Sequence, residues 1–423
     1  MNFREFLKFL DEKGLLIKIR RPVDVNLEAS TIIRMLNDRP LLFENVKGHS
    51  MPVAANICST RETVALGLGI KPNEIILKLA SAIDHPKEPD VVEATDYREI
   101  PPDLSKLPIL FHYPFDGGPY ISSGVVIARD LELGTNASFH RMMVIGKDRV
   151  VVRILPRDFD AFLKRGNKEF AVCIGNPVQV LVAAAVSVEL GKSELSIANS
   201  LAKTELVRLD GHEVPQAEIV MIAEITGEEH DEGPFLDLTE TPDIVRKQRV
   251  ARIKKIYTKE NPIYHALLPG GLEHKILMGM PREPTIFREV SKVCECMDVL
   301  ITPGGCSWLH AVVKIKKKAP DDGRKAIEAA FRGHKSLKHV WVVDEDINIH
   351  DPREVEWAMA TRFQGDRDII MKREPGSSLD PSSDLETRMT TKLGFDLTIP
   401  WDRDPKDFIK PGPPLKLDIN DYL

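Results

Sequence analysis

The run from Gly124 to Ile154 narrows the fold more than any other part of the chain. It holds three apolar stretches, Gly124-Val125-Val126-Ile127-Ala128-Arg129, Met142-Met143-Val144-Ile145 and Val150-Val151-Val152-Arg153-Ile154, joined by polar turns such as Gly146-Lys147-Asp148. Short apolar runs bounded by turn residues read as strands. A short helix over Asp160–Arg165 follows. Phe170-Ala171-Val172-Cys173-Ile174 and Val180–Val188 are apolar enough for a core strand or a buried helix. The middle of the chain therefore reads as a partly closed β-barrel or sandwich.

What flanks this region has a different texture. Asn2 is placed to cap a helix in which Phe3, Phe6, Leu7 and Leu10 recur at helical spacing until Gly14. A strand Leu15–Ile19, a helix Leu27–Leu36 and short buried strands at Pro40–Phe43 and Pro52–Asn56 come next, which makes a small α+β unit. The proline-rich stretch from Pro101 to Pro114 marks its end. In the last third, Asp298–Ile301, Leu309–Ile315, Val340–Asp344 and Asp368–Met371 read as strands, with helices over Arg324–Phe331 and Arg353–Arg362, an α/β layered arrangement. Ser377–Arg388 is polar and expected to be mobile. The tail with Pro405, Pro411, Pro413 and Pro414 is expected to wrap a neighbour. A chain of 423 residues is too long for a single core. The fold class is thus mixed α+β and α/β, divided at 1–105, 106–295 and 296–423.

Bulk properties exclude several functions. A net charge of -6 gives no support for binding nucleic acid or an anionic membrane. No apolar run is long enough to span a bilayer, and Met1-Asn2-Phe3-Arg4-Glu5 lacks a signal-peptide core, so a cytoplasmic protein is expected. The 5 cysteines are odd in number and scattered, which argues against a disulfide framework. Cys294, Cys296 and Cys306 match zinc or iron–sulfur spacing poorly and read as buried thiols.

Chemistry gathers in two stretches. Asp231-Glu232-Gly233-Pro234-Phe235-Leu236-Asp237 holds Glu232 and Asp237 across a Gly-Pro turn, a pattern suited to acid/base work but equally to a solvated loop. Upstream, Gly134-Thr135-Asn136-Ala137-Ser138-Phe139-His140-Arg141 offers a cation for those acids and polar groups for an anion or a metal. Arg141 as a strand-end charge and Glu194 as a solvated acid after Gly191-Lys192-Ser193 are the competing readings.

Taken with Leu42-Phe43-Glu44-Asn45-Val46, Ser193-Glu194, Pro303-Gly304-Gly305-Cys306-Ser307-Trp308, Asp344-Glu345-Asp346-Ile347 and Lys392-Leu393-Gly394-Phe395-Asp396, these stretches resemble, in order and over nearly the whole chain, the UbiD-like decarboxylases that use prenylated FMN. The resemblance implies a central split β-barrel that binds the flavin. It implies that Asn136 and Glu194 are ligands of a divalent ion, manganese or magnesium, with potassium as a further ion, against the cofactor phosphate. It places Phe139, His140, Arg141, Arg153, Ile154 and Leu155 around the flavin, and Lys392 near it. Many members carry a histidine ligand where this chain has Pro156-Arg157-Asp158; Asp158 as a substitute ligand or Arg157 as a direct phosphate contact are the alternatives. Arg141, Glu232 and Asp237 match the catalytic network. In the mechanism this implies, Arg141 is expected to keep Glu232 ionised, and Asp237, expected beside an apolar pocket and a carboxylate with its pKa raised, to protonate the carbon that lost CO2.

The resemblance implies an α,β-unsaturated or aromatic acid as substrate. The compact length, with Leu267–His274 and Met278–Glu283, resembles the archaeal branch that converts trans-anhydromevalonate 5-phosphate to isopentenyl phosphate in a modified mevalonate pathway. A phosphorylated substrate needs a basic group, for which Arg282, Lys275 and His310 are candidates. His274 is equally a pocket residue or part of a turn, and His265 is a further lone histidine. A hydroxybenzoate or naphthoate decarboxylase of quinone synthesis and a flavin-binding protein without decarboxylase activity are the competing functions. The resemblance also implies a flavin prenyltransferase as cofactor supplier and a homodimer or hexamer of dimers.

Overall fold

The computed structural model describes residues 1–408, 410–412, 415, 417 and 418; Pro413 and Pro414 of the expected wrapping tail lie outside the described residues. Contacts group the chain into two compact units. The first comprises 1–284, 301–308 and 378–381, and the second 285–300, 309–377 and 382–423.

In the first unit the helix Phe3–Glu12 starts at Asn2, whose side-chain oxygen accepts the Glu5 N–H while the Glu5 carboxylate accepts the Asn2 N–H. That reciprocal cap fixes the helix start. Phe3, Phe6, Leu7 and Leu10 form its buried face, as their spacing predicts. A four-stranded sheet runs in the order Ile17–Ile19, Leu41–Phe43, Val53–Ala55, Tyr264–His265. Asp90–Glu93 pairs with Glu205–Leu209, and Tyr97–Ile100 with Arg246–Lys259. Pairings thus cross the expected boundary near residue 105 three times.

The central sheet has nine strands. Its path runs Tyr120–Ile121, Met142–Val144, Arg149–Val152, Arg246–Lys259, Ile219–Glu232, Glu169–Ile174, Val125–Asp130, Gly134–Phe139, with Tyr97–Ile100 attached to Arg246–Lys259. The path does not return to its first strand, so the barrel is not closed. Each strand expected between Gly124 and Ile154 is present. Of the two ambiguous apolar stretches, Glu169–Ile174 is a strand and Val178–Ala183 a helix. The sequence reading missed Ile219–Glu232 and Arg246–Lys259, which are 14 residues each and form the spine of the sheet. Their register shifts at Ile222/Ala223 and Ile225/Glu229, so buried and exposed positions do not alternate regularly. Beyond Ile225 the first of them carries exposed polar residues up to buried Glu232.

The second unit is an α/β layer, as expected. Its five-stranded sheet runs Glu295–Ile301, His310–Lys316, His339–Val343, Met389–Asp396, Ile369–Pro375. His310–Lys316, His339–Val343 and Met389–Asp396 are parallel neighbours, and Ile369–Pro375 closes the edge antiparallel. Its helices include Asp322–Gly333 and Pro352–Arg362, as expected, and most of Glu283–Ser291. Met389–Asp396 was not foreseen as a strand, and Ser377–Arg388 before it holds no regular element. Among the described residues no helix is long and apolar enough to cross a membrane.

Candidate functional site

The acid heptad is not a solvated loop. Glu232 is the last residue of the strand Ile219–Glu232 and is 0% exposed. Arg141 follows the strand Gly134–Phe139 and precedes Met142–Val144, where pairing between Val152 and Met142 fixes its backbone. Its guanidinium grips Glu232 with both ends, Nε to Oε1 at 2.8 Å and Nη2 to Oε2 at 3.0 Å. Nη1 meets Asp237 Oδ2 at 3.2 Å. Arg141 also lies 4.5 Å from the centroid of the Phe235 ring, the residue between the two acids. Three side chains far apart in sequence therefore converge on one point. The bidentate pair is shielded from water, where a charge-assisted bond is strong.

Two members of this cluster escaped the sequence reading. Asp243 Oδ2 accepts a bond from Arg141 Nη2 at 2.7 Å and is held in turn by Arg246, whose Nη2 reaches Asp243 Oδ1 at 2.7 Å. The Tyr120 hydroxyl bonds Glu232 Oε1 at 3.0 Å. Asp243 arrives because Pro242–Asp243 pairs back onto Phe235–Leu236. The only local signal was an acid three residues before an arginine. Asp237 was expected to face an apolar pocket and a carboxylate. Its Oδ2 meets the guanidinium instead, its Oδ1 accepts the Leu238 N–H at 2.6 Å, and its side chain keeps 20% exposure. Asp237 is thus the acid of the pair that an incoming molecule can touch.

The segment between the acids is braced from one side. Gly117 N–H donates to the Pro234 carbonyl at 2.9 Å, and a Cβ on Gly117 would stand 2.2 Å from the Gly233 carbonyl oxygen. No side chain fits there. Gly117→Ala is expected to destabilise the protein by about 1–3 kcal/mol, the usual cost of overpacking, and to lower turnover by shifting Asp237. Thermal unfolding reads the first effect; an unchanged midpoint would mean that the loop does not seat there.

The second stretch forms a polar chain beside buried Glu194, the first residue of the helix Glu194–Leu201. Glu194 Oε2 accepts the Ala137 N–H at 2.8 Å, and the Asn136 amide nitrogen lies 3.3 Å from both carboxylate oxygens. Ser138 Oγ bridges Asn136 Oδ1 at 2.9 Å and His140 Nε2 at 3.0 Å, while His140 Nδ1 donates to the Arg153 carbonyl at 2.9 Å. Burial holds the His140 pKa down to about 4, so the ring is neutral. Burial, with the Asp158 charge nearby, pushes the Glu194 carboxyl up to about 7. Among the described residues no lysine or arginine nitrogen lies within 4 Å of it. Arg153 is the complement, a half-buried guanidinium with no acid within 4 Å among those residues, and burial lowers its pKa. A buried acid short of a cation and a cation short of an anion suit a metal ion bound to a phosphate. The donors are hard oxygens, apt for such an ion. A half-turn of the Asn136 amide would bring Oδ1 alongside Glu194 toward it.

No group of three or more His, Cys, Asp or Glu side chains able to hold a metal occurs among the described residues; Asp158 is close enough to Glu194 for its charge to be felt there. Ile154 is buried, its N–H bonded to Gln248 Oε1 at 2.9 Å; Phe139 packs against the core, and Leu155 and Arg157 are exposed. Lys392 belongs to the second unit, where Nζ donates to the Lys335 carbonyl at 2.6 Å and pairs with Glu374 at 2.9 Å.

Of the basic candidates, Lys275 is engaged by Glu240, which also takes Arg34 at 2.8 Å. His310 lies in the second unit, its ring tilted 31° to that of His339 at 4.5 Å between centroids. Arg282 is buried over the Trp308 ring at 5.4 Å, and burial together with the Arg157 charge lowers its pKa to about 10. His265 is structural: it packs 5.3 Å from Phe3, with Nε2 3.2 Å from buried Glu273. His274 accepts the Gly270 N–H at 3.1 Å and is close enough to Asp237 and Arg141 to feel both charges; burial brings its pKa to about 4. All five cysteines are free, Cys58 and Cys173 buried and the others partly so.

The N-terminal, Rift-related and C-terminal domain models of the 3-octaprenyl-4-hydroxybenzoate carboxy-lyase family, UbiD, match residues 7–83, 85–272 and 275–397. An anhydromevalonate phosphate decarboxylase of Methanothermobacter thermautotrophicus is 43% identical over 411 residues, covering 94% of this chain and 96% of the relative. One of Methanocaldococcus jannaschii is 43% identical over 392 residues, covering 89% and 92%. Among solved structures, the UbiD-class enzyme HmfF from Pelotomaculum thermopropionicum in complex with FMN superposes with a TM-score of 0.95 at 36% identity, covering 100% of both chains. An evolved dimeric form of HmfF in complex with prenylated FMN gives 0.91 at 34%, again covering 100% of both.

Proposed function

The chain belongs to the UbiD family of carboxy-lyases, and from that premise we propose that it removes CO2, without net oxidation, from trans-anhydromevalonate 5-phosphate to give isopentenyl phosphate, using prenylated FMN. The observation that carries this reading is the single guanidinium holding Glu232 and Asp237 together, with only Asp237 open to a ligand. The names of the relatives from Methanothermobacter and Methanocaldococcus support the substrate.

Arg153 and neutral His140 would contact the flavin, and Asn136 with Glu194 would hold a manganese or magnesium ion. Bound prenylated flavin supplies the electron sink for the pair left when the carboxylate departs. The chain's own side chains do the rest. Arg141 keeps Glu232 as an ionised acceptor and orients Asp237. Asp237 delivers a proton to the carbon that lost CO2, so the acid anion plus one proton becomes alkene plus CO2. Asp158 or Arg157 completes the phosphate end. Arg282, buried and near Arg157, is the candidate for the substrate phosphate. Lys392 near the cofactor, potassium as a further ion, a flavin prenyltransferase as supplier, a homodimer or hexamer of dimers, a cytoplasmic location and the three-part division at 105 and 295 belong to the same reading.

Purified protein loaded with prenylated FMN and manganese tests it. Trans-anhydromevalonate 5-phosphate should yield isopentenyl phosphate, whereas hydroxybenzoates and naphthoates should be inert. Turnover of the aromatic acids alone would transfer the assignment to quinone synthesis.

A further inference from the structure

Tyr120 has no part in the reading above, yet its hydroxyl is one of three side-chain donors that reach Glu232 among the described residues. Oε1 takes Arg141 Nε at 2.8 Å and the Tyr120 hydroxyl at 3.0 Å; Oε2 takes Arg141 Nη2 at 3.0 Å. Tyr120 and Glu232 are both 0% exposed. The Tyr120 side chain packs in an apolar cluster with Met143, Val151, Phe235 and Val250. The tyrosine is fixed at both ends. Its backbone N–H bonds the Leu110 carbonyl at 3.0 Å, its strand Tyr120–Ile121 pairs with Met142–Met143 beside Arg141, and its ring packs 4.5 Å from that of Phe235. Hydroxyl and guanidinium are thus referenced to the same strand.

We infer that Tyr120 is a positioning residue which, with Arg141, locks Glu232 into the role of permanent hydrogen-bond acceptor and so leaves proton delivery to Asp237. This rests on the reading that the Arg141 network does the chemistry. Every hydrogen bond donated to a carboxylate favours its charged form, so the Tyr120 hydroxyl weighs against proton uptake by Glu232. A neutral donor serves better here than a second cation. It satisfies the remaining lone pair on Oε1 and leaves the guanidinium free to reach Asp237 and Asp243 as well. Burial and the Glu232 charge push the Tyr120 pKa up, so the hydroxyl keeps its proton throughout the working range. Without it, buried Oε1 would keep only the Arg141 Nε donor, and Glu232 would compete with Asp237 for the proton.

The test is Tyr120→Phe in the flavin-loaded, full-length enzyme, with Val151→Ala as a packing control from the same cluster and Asp237→Asn in the same assay. The charged groups facing Glu232 are Arg141 and, through their fields, Arg153, with Asp237 and Asp243 sharing the guanidinium and Asp116 acting on Tyr120. Losing a donor that favours the charged form moves the acid side of the kcat–pH profile to higher pH. For Tyr120→Phe we expect kcat to fall by about tenfold, as for one hydrogen bond to a charged group, with KM and flavin absorbance unchanged and the acid limb displaced. A crystal structure of the variant should show the Glu232 carboxylate rotated. Val151→Ala should lower the melting temperature with the acid limb in place. If Tyr120→Phe merely behaves like Val151→Ala, or keeps the wild-type profile while Asp237→Asn is inactive, the role assigned to Tyr120 is wrong. If Asp237→Asn is itself fully active, the reading beneath it fails instead.

Discussion

Asp237→Asn should leave the flavin bound and lower turnover by about 10²–10⁴-fold, the range that one positioned proton donor contributes. The substitution is nearly isosteric. Its oxygen can still accept the Leu238 N–H, and Arg141 keeps its two bonds to Glu232 and its bond to Asp243. The pocket therefore keeps its shape and most of its charge pattern, and only the titratable proton is gone. Glu232 is 0% exposed, so of the two acids only Asp237 is in reach of substrate. His274 is close, but burial keeps it neutral through most of the working range, and its Nδ1 is occupied by the Gly270 N–H. Product formation from saturating acid, measured beside the flavin absorbance of the same sample, checks the prediction. Full turnover would mean that the proton comes from elsewhere; flavin loss would make Asp237 a structural residue.

This prediction draws on residues that were legible in the chain, and the contrast with those that were not is instructive. Glu232, Asp237 and Arg141 could be found because motif order places them, and Asn2 with its helix because capping and a 3.6-residue period are local. The spine strands Ile219–Glu232 and Arg246–Lys259 were invisible. Their register breaks at two bulges, and half of the first is exposed and polar, so what holds it extended is its partner and not its own pattern. Asp243 and Tyr120 were missed for a related reason. Each reaches Glu232 or Arg141 only through strand pairing, Pro242–Asp243 onto Phe235–Leu236 and Tyr120–Ile121 onto Met142–Met143. Sequence carries chemistry that a residue type announces. It does not carry adjacency created by a sheet.

The Glu194 substitutions should separate cofactor retention from chemistry. At pH 7 the wild-type melting temperature should rise on adding manganese, since a ligand that binds only the folded state stabilises it by mass action. Glu194→Ala should abolish that rise and weaken metal affinity by at least about 10–100-fold, the loss seen when even groups that merely orient ligands are removed. Flavin occupancy should fall with it if the ion ties down the phosphate. Glu194 carries two jobs that alanine removes together: it accepts the Ala137 N–H at 2.8 Å, and it supplies a buried negative charge that has no lysine or arginine partner within 4 Å among the described residues. Glu194→Gln divides them, because the amide oxygen can still accept from Ala137 while the charge is gone. If the charge is what recruits the ion, Glu194→Gln should match Glu194→Ala in its lost response to manganese, yet match the wild type in metal-free stability or exceed it, since a carboxyl whose pKa burial pushes up to about 7 makes the ionised form unfavourable in the folded state. Retention of the full manganese response by Glu194→Gln would show that the ion, if bound, sits elsewhere, and would leave Glu194 as no more than a partner for the Ala137 backbone.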